Sequence, residues 1–136
     1  MTSQNWENLV QLRRARDFID RSYASPIDVP SMARAALMSP AHFARQFRAT
    51  YGETPYTYLM TRRIERAKAL LRQGISVTDA CMAVGCTSLG SFSSRFTEIV
   101  GQTPSQYRAQ DHRGTQAIPP CVSKVQLRPR RAPVGA

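Results

Sequence analysis

The first apolar positions of the chain, Leu9, Leu12, Ala15, Phe18 and Ile19, fall on one stripe of an amphipathic helix over residues 7–23. The polar break SPIDVP follows. Asp28 is then placed to cap a short helix over about 29–37, with Met32, Ala33, Ala36 and Leu37 apolar. Ser39 and Pro40, a cap followed by proline at the first helical position, open a helix to about Tyr51. A longer helix runs from Pro55 to about Gln73, with Leu59, Ile64, Ala67, Leu70 and Leu71 apolar, and Gly74 ends it. The order then returns. Ser76 with Asp79 caps a helix through Val84, and Gly85-Cys86-Thr87-Ser88 turns the chain. A helix follows from about Leu89 to Val100, and a last short one lies near 104–110. The pattern predicts an all-α body.

The return is a repeat. HFARQFRATYGETPYTY and SFSSRFTEIVGQTPSQY align without gaps 49 residues apart, pairing Phe43 with Phe92, Phe47 with Phe96, and Tyr58 with Tyr107. Gly52 and Gly101 stop one helix, and Thr54-Pro55 and Thr103-Pro104 start the next as cap and first residue. Thr103 with Gln106 also fits a capping box. A unit written twice, each time as short helix, tight turn, short helix, reads as two helix-turn-helix units. The helix between them would be about 27 Å long. That length suits two reading helices set in successive major grooves, roughly 34 Å apart.

Charge then points to a partner. The chain has 136 residues with 19 Lys+Arg against 9 Asp+Glu, a formal +10, and only two of the basic residues are lysine. The planar fork of arginine suits phosphates and guanine edges, so nucleic acid is the favoured polyanion, ahead of an acidic membrane surface. A proteome-wide preference for arginine is the bland alternative. Residues 112–136 hold five basic residues, no acid and no helical period, and read as a disordered basic tail. The expected organisation is a disordered N-terminus at 1–6, a first helix-turn-helix lobe at 7–53, a linker helix at 54–74, a second lobe at 75–111 and the tail. No stretch approaches a membrane span or a secretory signal. Three cysteines without a CxxC pair suit a reducing cytoplasm better than disulfides or zinc.

The segments MARAALMSPAHFARQFRATYGETPYTYLMTRRIERAKALL and SVTDACMAVGCTSLGSFSSRFTEIVGQTPSQYR resemble the AraC/XylS-type DNA-binding domain of bacterial transcription regulators, over roughly residues 10–110. The resemblance implies a seven-helix, two-lobed fold with two helix-turn-helix units joined by a long linker helix. It also implies binding to double-stranded promoter DNA as an asymmetric bipartite site, contact with RNA polymerase, and no cofactor. In size the chain is similar to the short stand-alone members. Its start methionine and tail are read as those of a complete small protein, a monomer on DNA, working in the cytoplasm at the nucleoid. The family's usual aromatic after the turn glycine is here Cys86.

In the first unit Phe43 and Phe47 should point inward, leaving Ala41, Ala44, Arg45 and Arg48 outward with His42 at the N-terminal edge. Arg45 sits where the resemblance places a base-contacting arginine. Arg48 suits base or phosphate, and His42 is open between DNA contact, capping and neither role. In the second unit the offset carries Ala41 to Gly90, Arg45 to Ser94 and Arg48 to Thr97, with Ser91 beside them and Arg95 one place late. This small, hydroxylic face should anchor and read loosely. Ser39, Ser88, Arg62 and Arg63 are candidates for positioning phosphates. Enzyme chemistry finds nothing to stand on, with two distant histidines and neither nucleophile motif nor paired carboxylates. Cys81 and Cys86 would lie about 140° apart on a continuing helix, which disfavours bridging.

Overall fold

The structure is a computed structural model that describes residues 3–110. Among the described residues there are seven helices and no strand: α1 Ser3–Ser22, α2 Val29–Ala35, α3 Pro40–Tyr51, α4 Pro55–Arg72, α5 Val77–Ala83, α6 Leu89–Val100 and α7 Pro104–Ala109. The ends agree with the apolar pattern to within one or two residues, except at the start. Residues 3–6, expected to be disordered, form the first turn of α1. Helix propagation adds one backbone bond per residue, so a turn can extend beyond the buried stripe without packing. Trp6 there is 63% exposed. The basic tail lies outside the described residues.

Two compact units divide between Arg63 and Ile64, inside α4. In the first, Leu12, Ala15 and Ile19 of α1 pack with Met32, Ala33 and Ala36, with Phe43 and Phe47 of α3, and with Leu59 of α4. The phenylalanines expected inward are fully buried. In the second unit the buried set is Ile64, Ala67 and Leu71 of α4, Ala80, Cys81 and Val84, then Cys86, Phe92, Phe96 and Tyr107.

The repeat is longer than the ungapped alignment. Leu12, Ala15 and Ile19 correspond to Ile64, Ala67 and Leu71, 52 places on, while Met32, Ala33 and Ala36 correspond to Ala80, Cys81 and Val84, 48 places on. The C-terminal half of α4 thus stands to the second unit as α1 stands to the first.

The two helix-turn-helix turns differ by one residue. Ala36 and Val84 are the C-caps of α2 and α5, and Ser39 and Ser88 the N-caps of α3 and α6. Two residues separate the caps in the first turn, three in the second. Both turns open as Schellman motifs. Met38 N–H reaches Ala33 O at 3.0 Å and Leu37 N–H reaches Arg34 O at 3.0 Å. Their counterparts are Cys86 to Cys81 O and Gly85 to Met82 O, each at 3.1 Å. The left-handed position is filled by Gly85 at φ 91° in one turn and by Leu37 at φ 58° in the other.

The GxTP corners behave as predicted. Gly52 and Gly101 adopt φ 81° and 90° and close α3 and α6. Thr54 Oγ1 accepts from Thr57 N–H at 3.1 Å, and Thr103 and Gln106 complete their capping box. Each corner then drives its tyrosine against the preceding helix. Tyr58 meets the Phe47 ring edge-on at 5.8 Å and Tyr107 meets Phe96 at 5.7 Å.

Candidate nucleic-acid interface

Burial of Phe43 and Phe47 fixes which way α3 faces. Advancing about 100° per residue, the meridian opposite those rings passes through Arg45. Arg45, Ala41 and Arg48 are exposed, and His42 and Ala44 are half-buried. The three exposed residues form the outward stripe, whereas Ala44 sits on its flank. His42 donates its backbone N–H to Ser39 Oγ at 3.3 Å, so the cap of α3 is the serine and not the histidine. Helix α3 contains no acidic residue.

Helix α6 has the same attitude, with Phe92 and Phe96 buried and Ser94 on the outward meridian. Gly90, Ser91, Ser94 and Thr97 are exposed. A β-carbon on Gly90 would meet nothing within 4 Å, so packing does not require the glycine. The Thr97 hydroxyl donates to Ser93 O at 2.8 Å, which leaves its lone pairs outward. Ser88 Oγ accepts from Ser91 N–H at 3.2 Å. As acceptors in their caps, Ser39 and Ser88 keep a hydroxyl hydrogen to donate.

One residue of this face escaped the sequence reading. Glu98 lies one turn beyond Ser94, close to the outward meridian, and is the only acid of α6. Its Oε1 accepts from Arg95 Nη1 at 3.1 Å, with the two side chains 34% and 68% exposed for arginine and glutamate. The signal was available. The offset of 49 that relates the two helices places Glu98 opposite Ala49 of α3.

Arg63 is a correction. Expected to position phosphates, it is 8% exposed. Its Nε donates to Tyr23 O at 2.7 Å and its Nη2 to Ser25 O at 2.9 Å. The carbonyls past the end of α1 need donors, and a guanidinium fork supplies two at once. In the second unit Arg108 does the same for Ile75 O and Gly74 O at 2.9 and 2.8 Å. Arg62 is one-third exposed and its Nε lies 3.2 Å from Asp20 Oδ1, so it is partly committed to the fold.

The cysteines are also closer than a continuous helix would allow. Helix α5 stops at Ala83, and Gly85 folds Cys86 back so that Cys81 Sγ lies 3.7 Å from Cys86 O. Neither cysteine is in a disulfide, and both are buried. Burial pushes the Cys81 thiol above its ordinary pKa, and the neighbouring Cys86 thiol pushes it further. Among the described residues no group of three or more His, Cys, Asp or Glu is placed to hold a metal ion, and no helix is long and apolar enough to cross a membrane.

Comparison with known proteins agrees with this geometry. A family model described as a helix-turn-helix domain matches residues 32–110. The chain is 34% identical over 98 residues to the uncharacterized HTH-type transcriptional regulator YijO of Escherichia coli K12, covering 71% of this chain and 35% of that protein. It is 32% identical over 84 residues to the bifunctional transcriptional activator/DNA repair enzyme Ada of the same organism, covering 62% of this chain and 24% of that one. The chain thus spans well under two thirds of either relative. Among solved structures, the DNA-binding domain of the global transcriptional factor AdpA in complex with a target DNA is similar with a TM-score of 0.69 and 29% identity. That match covers 76% of this chain and 93% of the other.

Proposed function

Because the chain belongs to the AraC-type family of helix-turn-helix DNA-binding domains, we propose that it regulates transcription by binding an asymmetric promoter site of two unequal boxes. The observation that carries this reading is the attitude of Arg45, exposed and directly opposite the buried Phe43 and Phe47. In the first box Arg45 reads guanine through its fork, and Ala41 and Arg48 line the same groove. A bidentate arginine–guanine pair contributes about 1–3 kcal/mol of discrimination. His42 and Ala44 border the contact.

In the second box Gly90, Ser91, Ser94 and Thr97 approach the groove with small and hydroxyl groups that tolerate several bases, with Arg95 at the flank. Ser39, Ser88 and the exposed edge of Arg62 hold phosphates. With 6–8 phosphate contacts, the slope of log affinity against log salt is roughly −5 to −7. Two reading helices in one chain replace the two-fold symmetry of a dimer, so one copy occupies the site, working at the nucleoid. RNA polymerase is the second partner of a regulator of this kind.

Selection of sites from a random double-stranded DNA pool near physiological salt tests the reading. Two short boxes about one helical turn apart, the first sharper, are expected. Retention of the pool without enrichment would refute sequence-specific regulation.

A further inference from the structure

The two outward faces differ in one charge that the small residues of α6 do not explain. Helix α3 presents Arg45 and Arg48 and carries no acid. Helix α6 presents one arginine and, nearer the outward meridian, one glutamate. A carboxylate is repelled by phosphates and by the O6 and N7 acceptors of guanine, and finds a matching donor only on an amino group such as cytosine N4. No core group requires it there, since Glu98 is exposed and its ion-pair partner sits on its own helix.

From this we propose that Glu98 is the specificity-determining residue of the second unit, and that it acts by withholding Arg95 from guanine. The inference rests on the reading of α6 as a DNA-facing helix. Glu98 Oε1 engages Arg95 Nη1 at 3.1 Å, one of the donors a bidentate guanine contact uses. To read a base, Arg95 has to release Glu98. The carboxylate would then face the DNA without a cation, where it is least tolerated. An exposed i,i+3 ion pair is weak by itself. It is the stranded carboxylate, rather than the strength of the pair, that keeps the arginine in place. Glu98 is therefore a positioning residue, and the second box stays permissive because of it.

The test is site selection from the random pool with the full chain in four forms: wild type, Glu98→Gln, Arg95→Ala and the double variant. Glutamine keeps the shape and a hydrogen-bonding oxygen but removes the charge. In Glu98→Gln the second box is expected to acquire a guanine at one position, favoured at least about five-fold over the worst base. The first box should be unchanged, and the new preference should vanish in Arg95→Ala/Glu98→Gln. A second box identical to wild type in Glu98→Gln overturns the proposal. So does a new preference that survives in the double variant, which would make residue 98 itself the reader. Loss of the first box from wild type would instead remove the underlying reading of the chain.

Discussion

The Tyr58 hydroxyl donates to Asp20 Oδ1 across 2.7 Å. At the corresponding place in the second unit the Tyr107 hydroxyl accepts from Arg72 Nη1 across 2.9 Å. Asp20 and Arg72 are themselves equivalent, 52 places apart, so the same tyrosine answers opposite charges by switching from donor to acceptor. Two cations are equivalent as well, although the rings they meet are not, since Tyr51 corresponds to Val100. Arg16 lies 5.0 Å from the Tyr51 ring, and Lys68, again 52 places on, lies 5.8 Å from the Tyr107 ring. Burial and the Asp20 hydrogen bond hold the Tyr58 hydroxyl protonated well above the usual tyrosine range. Tyr58→Phe keeps the ring against Phe47 and removes only this bond. It should cost about 1 kcal/mol, read as a lower midpoint in urea with an unchanged slope.

Leu37 invites the opposite change. It adopts φ 58° and is 71% exposed, so it has the strain of the left-handed region and little burial to offset it. Relief of that strain, about 1–2 kcal/mol, outweighs the extra unfolded-state entropy of glycine, roughly 0.5–1 kcal/mol. Leu37→Gly should therefore stabilise the chain by roughly 0.5–1 kcal/mol, seen as a thermal midpoint several degrees higher.

Two arginines separate folding from binding. Arg45→Ala should weaken binding to the first box by about 1–3 kcal/mol and leave the melting curve in place. Arg63→Ala leaves carbonyls of Tyr23 and Ser25 without their donors and should lower stability by about 1.5–3 kcal/mol. Isothermal binding and thermal melts of both variants, run in parallel, check the division.

Asp28 gives α2 a dependence on acid. The Ser31 backbone N–H, at 2.9 Å from Oδ1, is the main cause holding its carboxyl below the ordinary aspartate range, and the Ser31 side chain adds to it. A carboxyl depressed in the folded state contributes stability that is present above the unfolded pKa and lost as pH falls through the folded one. The cap should hold at neutral pH and be lost as the pH falls below the ordinary aspartate range. Asp28→Asn keeps an acceptor without the charge. The difference in melting point between wild type and this variant should shrink on acidification over that window.

The thiols of Cys81 and Cys86 should be slow to react. Burial of both, and for Cys81 a raised pKa as well, lower the accessible thiolate. In a Cys121→Ser background, a disulfide reagent at pH 7.5 should titrate almost no thiol until denaturant is added, and two thereafter. Prompt titration of either would contradict the packing described.

Much of this arrangement is written locally. Caps such as Ser39 and Ser88, the prolines after them and the paired phenylalanines act within one or two turns, so spacing alone locates the helices and their inward faces. What spacing could not convey is the use of a charge at long range. Arg63 looked like its neighbour Arg62 because only the fold brings the carbonyls of Tyr23 and Ser25 to it, some forty residues away. The equivalence of α1 with the second half of α4 was hidden by turns of unequal length. Glu98 has no charged counterpart in α3, where the offset of 49 finds Ala49.

The guanidinium of Arg63 also sets a schedule for synthesis. Chains are made from the N-terminus at about 5–20 residues per second, and compact units fold as they emerge. Helices α1 to α3 are complete in sequence by Tyr51, but the bonds that secure the end of α1 come from residue 63. The first unit gains these bonds only once Arg63 has left the ribosome. The rest of α4 must wait longer, for Tyr107 and Arg108 to arrive. For a few seconds the nascent chain therefore holds one completed unit and a stretch of α4 whose own unit has yet to emerge.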